Sequence, residues 1–254
     1  MERGDFSSLA KDYIHRTGYS RRVLGAIAAY IGAFRDGFLV ADVGAGTGKL
    51  TEVLCAMGLT GFAVEPNDAM RGEAIRLGMT TAAFRWSNGS AEQTGLPVNC
   101  VDWVLMGSSF HWTKPAEALA EFHRILRPGG FFTALWNPRD LESSELHQRV
   151  EAVIHRIVPN ISRVSSGSSK YTKDIDKTLL STGQFTNLVF MEAPHQELMA
   201  KERYLGAWRS VNDIQAQAGP ERFAQILEAI AAEIKSLEVV PVPYKTRAWT
   251  VQAK

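Results

Sequence analysis

Short apolar runs alternate with amphipathic segments through the first half of the chain. The run at 38–40 is short enough for a buried parallel strand, and Leu50, Val53, Leu54 and Met57 after it recur at the spacing of one helix face. Further strands are predicted near 61–65, near 80–86, at 101–106 and at 130–136, with helices at 23–34, near 67–77 and at 115–126. This alternation predicts a parallel sheet with right-handed crossovers.

The alternation stops after residue 136. Residues 137–171 contain one amphipathic helix and a run rich in serine and glycine over 162–169. Because a loop of this length in a compact domain is usually a lid or a disordered stretch, we expect a lid that orders when a ligand binds.

Two more strands are predicted at 185–191 and 244–251, and about fifty residues separate them. Those residues carry two helical patterns, of which the second begins at Gly219-Pro220 and has a regular apolar face. The chain is therefore predicted to be one domain over residues 1–254. We expect a core of residues 20–136 and 172–254, with cap or lid elements at 1–19, 137–171 and about 198–238.

Composition restricts the class of protein. The chain has 254 residues, 45% of them hydrophobic and 22% charged, which are globular values, and a net charge of +1 without a basic run argues against nucleic-acid binding. No apolar run reaches the length of a membrane span, and the N-terminus lacks a signal-peptide pattern. With two isolated cysteines, Cys55 and Cys100, these features predict a cytoplasmic protein with no membrane partner.

A glycine-rich loop, Gly44-Ala45-Gly46-Thr47-Gly48, joins the first strand to its helix. Such a loop brings backbone N–H groups at a helix N-terminus close to a ligand. The spacing departs from a phosphate-binding P-loop, and Lys49 stands where a dinucleotide site needs a small residue. The pattern is G-x-G-x-G preceded by the acid Asp42. A tight turn without any ligand is the alternative.

Several later motifs favour a ligand. Glu65 ends the second strand seventeen residues after Gly48, where an acid can accept the ribose hydroxyls of a nucleoside. Residues 89–92 precede Leu-Pro, residues 107–112 read Gly-Ser-Ser-Phe-His-Trp, and residues 127–130 read Arg-Pro-Gly-Gly before an apolar strand.

Together these motifs, over roughly residues 35–136, resemble the class I S-adenosylmethionine (SAM)-dependent methyltransferases. They are most similar to the small-molecule branch of the ubiquinone/menaquinone-biosynthesis type (methyltransferase type 11). The resemblance implies an α/β, doubly wound, mostly parallel seven-stranded Rossmann-like sheet whose last strand is antiparallel. It also implies SAM as cofactor, S-adenosylhomocysteine as product, and methyl transfer to an O or N atom of a small molecule.

The resemblance also implies a cofactor site. Tyr13 and Arg16 would lie near the methionine end of SAM, although Thr17 replaces a proline common in the family, and a surface helix with an aromatic anchor is the alternative. The implied cofactor-binding residues are Tyr13, Arg16, Asp42, Gly44, Ala45, Gly46, Thr47, Gly48, Glu65, Pro66, Met70, Ser90, Ala91, Glu92, Gly107, Ser108 and Phe110.

Residues just after strands four and five should meet the acceptor, because that edge of the sheet faces the cofactor. The predicted substrate-binding residues are His111, Trp112, Trp136, Asn137, Tyr204 and Trp208, the last two being either core or the roof of the pocket. His111 is the candidate catalytic base, since histidine titrates near neutrality, with a structural histidine as the alternative.

Other functions stay open at this stage. A SAM-binding protein without transfer activity shares every cofactor motif, and a nicotinamide-dependent oxidoreductase is a further alternative. His147, Glu151 and His155 share a helix face that could in principle hold a metal, but a solvated polar face explains them without one, and no metal is expected. The nucleic-acid methyltransferase pattern [DN]-P-P-[YFW] is absent after strand four, which favours a small acceptor; its identity and the oligomeric state stay undetermined.

Overall fold

The computed structural model describes residues 9–79, 82–163 and 172–254. Seven strands form one sheet in the order β3-β2-β1-β4-β5-β7-β6. They are β1 (Leu39–Val43), β2 (Thr60–Val64), β3 (Phe84–Ser87), β4 (Val101–Gly107), β5 (Leu126–Trp136), β6 (Phe185–Met199) and β7 (Val240–Ala253). β7 is antiparallel to both of its neighbours, and the first five strands are parallel. The predicted doubly wound fold with an antiparallel last strand is confirmed.

Helices cover both faces of this sheet. In the described residues they are α1 (Ala10–Tyr13), α2 (Arg21–Tyr30), α3 (Lys49–Ala56), α4 (Asp68–Arg76), α5 (Pro115–Ile125), α6 (Glu145–Ile157), α7 (Ile175–Leu180), α8 (Lys201–Arg209) and α9 (Asn212–Glu233). Short 3-10 turns lie at Phe110–Trp112 and Leu141–Ser143. Side-chain oxygens of Ser20, Asn67 and Ser144 accept hydrogen bonds from the first turns of α2, α4 and α6 and so fix where those helices begin.

β4 lies at the centre of the sheet and is apolar along most of its length. Residues 101–106 are all buried, as expected for a strand covered on both faces. The Asp102 carboxylate accepts from Arg35, Arg127 and the N–H of Leu39, and the Trp103 indole N–H donates to Thr133 Oγ1 at 2.8 Å, which is in turn hydrogen-bonded to Thr250. This series of hydrogen bonds links β4, β5 and β7, and it gives the buried indole N–H a partner.

The hairpin formed by β6 and β7 is longer than the sequence predicts. The strands pair from Phe185↔Ala253 out to Met199↔Val240, beyond the predicted spans 185–191 and 244–251. β5 likewise begins at Leu126, directly after α5, instead of at 130. Apolar residues are sparse in these extensions, so the periodicity did not mark them. Part of the predicted third strand, at 80–81, and residues 164–171 of the predicted lid lie outside the described residues.

The extended hairpin carries a separate group of helices, α6, α8 and α9. Their apolar side chains pack on one another and on the far end of the hairpin, around the fully buried Tyr204 and Trp208. Gly219, with φ of +72°, breaks α9 where the sequence predicts a helix start at Gly219-Pro220. Helices predicted from separate patterns therefore share one small core beside the sheet.

The N-terminal segment, residues 9–20, lies against α8. Asp12 pairs with Arg209 at 3.1 Å, and an Arg203 guanidinium nitrogen lies 3.5 Å from the carbonyl oxygen of Arg16. The His15 ring packs on the backbone of Gly206, where a Cβ would lie 2.3 Å from His15 Cδ2. The absence of a side chain at Gly206 thus sets how closely the two elements approach.

We predict that Gly206→Ala lowers the melting temperature, although alanine is the better helix former by about 1 kcal/mol, because its methyl group would displace His15. Gly72→Ala, at a helical site with open space around the added Cβ, is the matched control and should raise it. Adding His15→Ala to Gly206→Ala should restore stability. Equal effects of the two glycine substitutions in thermal unfolding would contradict the close contact.

Candidate functional site

A cavity of about 920 Å³ opens at the carboxyl ends of the parallel strands. It extends from the loop after β2 past β1, β4 and β5 to β7, and the N-terminal segment together with α8 and α9 covers it. β1 lies between β2 and β4, so the cavity includes the point at which the order of the strands reverses. Ligands of open α/β sheets bind in that crevice.

The glycine loop forms one wall of this cavity. Gly44 and Gly46 have φ of +70° and +58°, and the N–H groups of Gly44 and Ala45 both donate to Val64 O, at 2.8 and 3.1 Å. A Cβ on Gly44 would lie 2.8 Å from Ser109 Oγ. Glycine is required here both by the positive φ and by the close approach of the loop after β4.

Glu65 joins the glycine loop to the end of β2. Its Oε2 accepts from the N–H of Gly46 at 2.8 Å, and its Oε1 accepts from the N–H of Asn67 at 2.9 Å. Burial raises the pKa of Glu65, while these two hydrogen bonds oppose the shift. The buried carboxylate thus holds the two loops in register and lines the cavity.

Asp42 is a second buried carboxyl group on the cavity wall. Its Oδ2 accepts from Thr51 Oγ1 at 2.6 Å, whereas its Oδ1 has no hydrogen-bond partner within the described part of the chain. Burial raises the pKa of Asp42 to about 7; the Thr51 hydroxyl opposes this shift and the charge of Glu65 adds to it. The buried hydroxyl of Thr47, on the same loop, also has no partner there. These atoms are oriented for a ligand that donates hydrogen bonds.

Arg16 lines the cavity from the N-terminal segment. Its Nε donates to Ser210 Oγ at 2.8 Å and one terminal nitrogen donates to Ser210 O at 2.9 Å, at the C-terminus of α8. The other terminal nitrogen donates to the Tyr13 hydroxyl, over whose ring the guanidinium also stacks at 4.0 Å. No carboxylate of the described residues lies within ion-pair distance of Arg16, so its positive charge faces the cavity uncompensated.

His111 follows β4 in a 3-10 turn and lines the cavity next to Trp112. Its ring lies 4.7 Å from that of Trp112, and its Nδ1 accepts from the indole N–H of Trp136 at 3.2 Å. An imidazole that accepts at Nδ1 and is neutral carries its proton on Nε2. In this arrangement Nε2 is a hydrogen-bond donor, and Nδ1 accepts the hydrogen bond from Trp136.

Asn137 closes the cavity next to β5. Its Nδ2 donates to Gly18 O at 2.9 Å, and its Oδ1 accepts from Thr246 Oγ1 at 2.7 Å. Thr246 Oγ1 in turn accepts from the N–H of Ser20. The amide therefore holds the N-terminal segment over the carboxyl end of β5 and the adjacent first half of β7.

Most of the predicted site residues do meet at this cavity. Those that line it are Tyr13, Arg16, Asp42, Gly44, Ala45, Gly46, Thr47, Glu65, Pro66, Met70, Ser90, Ala91, Gly107, Ser108, His111, Trp112 and Asn137. They come from six separate segments of the chain, and the parallel topology brings them to one edge of the sheet.

Six predicted residues do not line the cavity. Gly48, with φ of +88°, forms the turn into α3 and faces Met79 and Trp86. The carboxylate of Glu92 accepts from the backbone N–H of Lys114. The other four are core residues: Phe110 packs on Phe132, Trp136 lies behind His111, and Tyr204 and Trp208 belong to the small helical core and do not form a roof. These four large aromatic side chains are buried because they supply the packing beneath the cavity wall.

A further set of residues lines the cavity and was not predicted from the sequence. They are Tyr19, Arg139, Arg163, Asn212, Asp213 and Tyr244 among others. Arg139 lies two residues after the predicted site residue Asn137, and a charged residue just past a strand end is a usable signal. No sequence signal indicated that α9 would contribute to the cavity, because its position depends on how the long β6–β7 hairpin places the helical insertion.

The candidate metal face does not assemble. Glu151 is paired with Arg163 at 3.1 Å, and the buried His147 shares a 2.8 Å contact between its Nδ1 and Ser144 Oγ. Within residues 9–79, 82–163 and 172–254, no three His, Cys, Asp or Glu side chains are grouped to hold a metal ion. Across the same ranges, none of the helices combines the length and the apolar character needed to cross a membrane.

Comparison with known proteins agrees with the architecture of the site. Residues 41–134 match the family model of a methyltransferase domain. An uncharacterised methyltransferase of Mycobacterium tuberculosis is 45% identical over 103 residues, which cover 40% of this chain and 40% of that protein. An uncharacterised methyltransferase of Schizosaccharomyces pombe is 31% identical over 106 residues, covering 40% of this chain and 39% of its own length. The chain thus spans well under half the length of these relatives.

Solved structures share the fold over nearly the whole chain. A candidate type II methyltransferase of Anaeromyxobacter dehalogenans has a TM-score of 0.61 at 21% identity, covering 92% of this chain and 97% of its own. Phosphoethanolamine N-methyltransferase 2 of Haemonchus contortus, solved with phosphomonomethylethanolamine and S-adenosylhomocysteine, has a TM-score of 0.54 at 15% identity, covering 98% of this chain and 57% of its own. These likenesses show the fold, and the domain match over residues 41–134, taken with the strand order and the glycine loop, supports a class I SAM-dependent methyltransferase.

Proposed function

We propose that this protein binds SAM and transfers its methyl group to an O or N atom of a small-molecule acceptor. The observation that carries the proposal is a pair of opposite charges on the cavity wall. Arg16 has no carboxylate partner, and Asp42 Oδ1 has no donor, among the described residues. The methionine end of SAM is a zwitterion that supplies one carboxylate and one ammonium group, so it would satisfy both.

The ribose side supports the same ligand. Glu65 ends β2 with a carboxylate on the cavity wall, in the position from which an acid accepts nucleoside hydroxyls. Pro66, Met70, Ser90 and Ala91 continue the wall beyond it and offer an apolar slot for a base. The solved relative from Haemonchus contortus holds S-adenosylhomocysteine on the same fold.

Bound SAM would supply an activated methyl group on a sulfonium, and the residues of this chain would place the acceptor in line with it. Trp112 and Asn137, on the β4 and β5 side of the cavity, would position the acceptor. The packed side chains of Phe110 and Trp136 beneath that wall hold its geometry and keep water out from below.

We propose that His111 positions the acceptor as a hydrogen-bond donor, in place of the general base favoured on sequence grounds. The Trp136 indole donates to Nδ1, and this interaction leaves the proton of the neutral ring on Nε2. Such a ring can donate to an acceptor oxygen, whereas taking up a second proton requires breaking the bond to Trp136.

A small acceptor is favoured over nucleic acid because the cavity is closed by the N-terminal segment and the net charge is only +1. Cys55 and Cys100 are not disulfide-bonded, which fits a reducing cytoplasmic setting. A protein that binds SAM without transferring the methyl group would have the same cofactor wall. Methyl transfer to any acceptor, measured with radiolabelled SAM, separates the two functions.

The first test concerns Glu65. We expect Glu65→Ala to weaken S-adenosylhomocysteine binding by about 1.5–3 kcal/mol, because two ribose hydroxyls lose a charged acceptor. Isothermal titration calorimetry gives the affinity, and Glu117→Ala, an exposed carboxylate on α5, is the control. Unchanged affinity in Glu65→Ala would remove this residue from the site.

The second test uses the pKa of Asp42. Burial raises that pKa to about 7, so at pH 5 to 6 the ligand-free protein holds a proton that the unfolded chain, with its ordinary value of 3.8, has largely lost. This group therefore destabilises the ligand-free fold increasingly as pH rises from about 4 to about 7. An ammonium group next to Asp42 favours the carboxylate, so binding should release a proton near pH 6, and affinity should rise toward pH 8.

Calorimetry in two buffers with different ionisation enthalpies measures that proton. Burial also raises the pKa of Glu65, so the difference between wild type and Asp42→Asn reports on Asp42. Asp42→Asn should release less proton, bind more weakly at pH 8 and be more stable without ligand at that pH. An identical proton release in both proteins would separate Asp42 from the ligand.

The third test separates the two roles of His111. If it acts as a donor, His111→Gln keeps an N–H near the position of Nε2 and should retain kcat/KM within about tenfold, while His111→Ala loses more, chiefly through KM. A general base would lose roughly 10²–10⁴ in kcat in both variants, with one limb missing from the pH–rate profile. Equal large losses of kcat in the glutamine and alanine variants would restore the base.

A further inference from the structure

We infer that the acceptor carries an anionic group, a carboxylate or a phosphate, and that Arg139 binds it. This inference rests on the proposed function, because it identifies the chemical class of the acceptor at the same cavity. Arg139 lies three residues after β5 and lines the cavity together with Asn137, Pro138 and Tyr244.

The charge of Arg139 has no counterion in the described structure. No carboxylate of the described residues lies within ion-pair distance, and the buried Nε has no hydrogen-bond partner there. The neighbouring acids are engaged elsewhere: Asp140 pairs with Lys245, and Asp213 pairs with Arg163 at 2.7 Å. A half-buried guanidinium without a partner is costly, and arginine is rarely left so unless a ligand completes it.

Arg163, by contrast, has two carboxylate partners. Its guanidinium forms two hydrogen bonds to Glu151, at 3.1 and 3.2 Å, and one to Asp213. It also lies 5.9 Å from the Trp208 ring, on the same small core as Arg139. Of the two arginines in this part of the cavity, Arg163 thus has two carboxylate partners, whereas Arg139 has none among the described residues and keeps its charge for an anion.

Arg139 is held in place before any ligand arrives. Its guanidinium stacks over the indole of Trp208 at 4.0 Å, and its backbone is bridged to Tyr244. The flanking bonds Asp140 N–Pro243 O and Lys245 N–Pro138 O, both 3.0 Å, extend that pairing. Trp208 and its neighbour Tyr204, predicted as substrate contacts, are thus the buried platform beneath a cation that does line the cavity. A preorganised guanidinium loses little entropy when it binds an anion.

The neighbouring histidine does not add a second charge. His147 is fully buried, and burial lowers its pKa to about 4, with the charge of Arg139 acting in the same direction. It is therefore neutral at physiological pH. Because Glu151 and Asp213 compensate the charge of Arg163, Arg139 supplies the uncompensated positive charge in this part of the cavity.

Arg139 is also well placed to serve the acceptor and not the cofactor. Glu65 follows β2 and Arg139 follows β5, and these strands are three strand spacings apart, about 14 Å. Arg16, which reaches the cavity from the N-terminal segment, is the separate candidate for the methionine carboxylate. The two unpaired arginines thus predict two anions bound to one cavity.

The test titrates S-adenosylhomocysteine-saturated protein with benzoate, phenyl phosphate and neutral benzamide at constant ionic strength, following the melting temperature. Benzoate or phenyl phosphate should stabilise wild type and Arg149→Gln, whose arginine pairs with Glu233 on the surface, while benzamide should not. The stronger of the two anions identifies the carboxylate or the phosphate. Arg139→Gln should weaken anion binding roughly 10- to 100-fold and leave S-adenosylhomocysteine affinity within about twofold.

Equal stabilisation by benzamide and the anions, or anion binding that survives Arg139→Gln, would overturn the proposal. So would a large loss of S-adenosylhomocysteine affinity in Arg139→Gln, which would assign this arginine to the methionine carboxylate. If Arg139→Gln does not fold, Arg139→Lys, which keeps the charge but not the planar fork, should bind the anion several-fold more weakly. Absence of S-adenosylhomocysteine binding to wild type would defeat the proposed function, and titrating the ligand-free protein would then still test Arg139.

Discussion

The carboxylate of Glu65 connects the parts of the site on which the rest depends. It accepts one backbone N–H from the glycine loop after β1 and one from the start of α4 after β2. Both loops have irregular backbone whose N–H groups need partners, and a single buried anion supplies two of them. The acid that a nucleoside would meet is therefore also the group that gives the glycine loop its shape.

Burial of acidic groups at this edge of the sheet has an electrostatic cost. Burial raises the pKa of both Asp42 and Glu65, and the charge of Glu65 raises that of Asp42 further. Arg16 and Arg139 face the same cavity without carboxylate partners among the described residues. A cavity wall that leaves both signs of charge uncompensated is better suited to a zwitterionic ligand plus an anionic one than to an apolar molecule alone.

The cap on this cavity is built from distant segments. The N-terminal segment is held by Arg16 and His15 against α8, and Asn137 ties it to β5 and β7. Arg139 rests on Trp208, which belongs to the helical insertion carried by the long β6–β7 hairpin. The insertion thus shapes the side of the cavity proposed for the acceptor through a buried platform, while the parallel sheet shapes the side proposed for the cofactor.

The sequence by itself determined the sheet, the glycine loop and the cavity wall proposed for the cofactor. These depend on local signals: apolar runs of strand length, glycines where φ is positive, and an acid at a strand end, which the parallel topology then brings to one edge. Whether Trp136, Tyr204 and Trp208 line the cavity or lie beneath it was decided only by tertiary packing, because a large aromatic side chain suits either place. The same holds for Nδ1 of His111, engaged by an indole 25 residues away, and for Arg139, whose unpaired charge is visible only once the positions of all neighbouring acids are known.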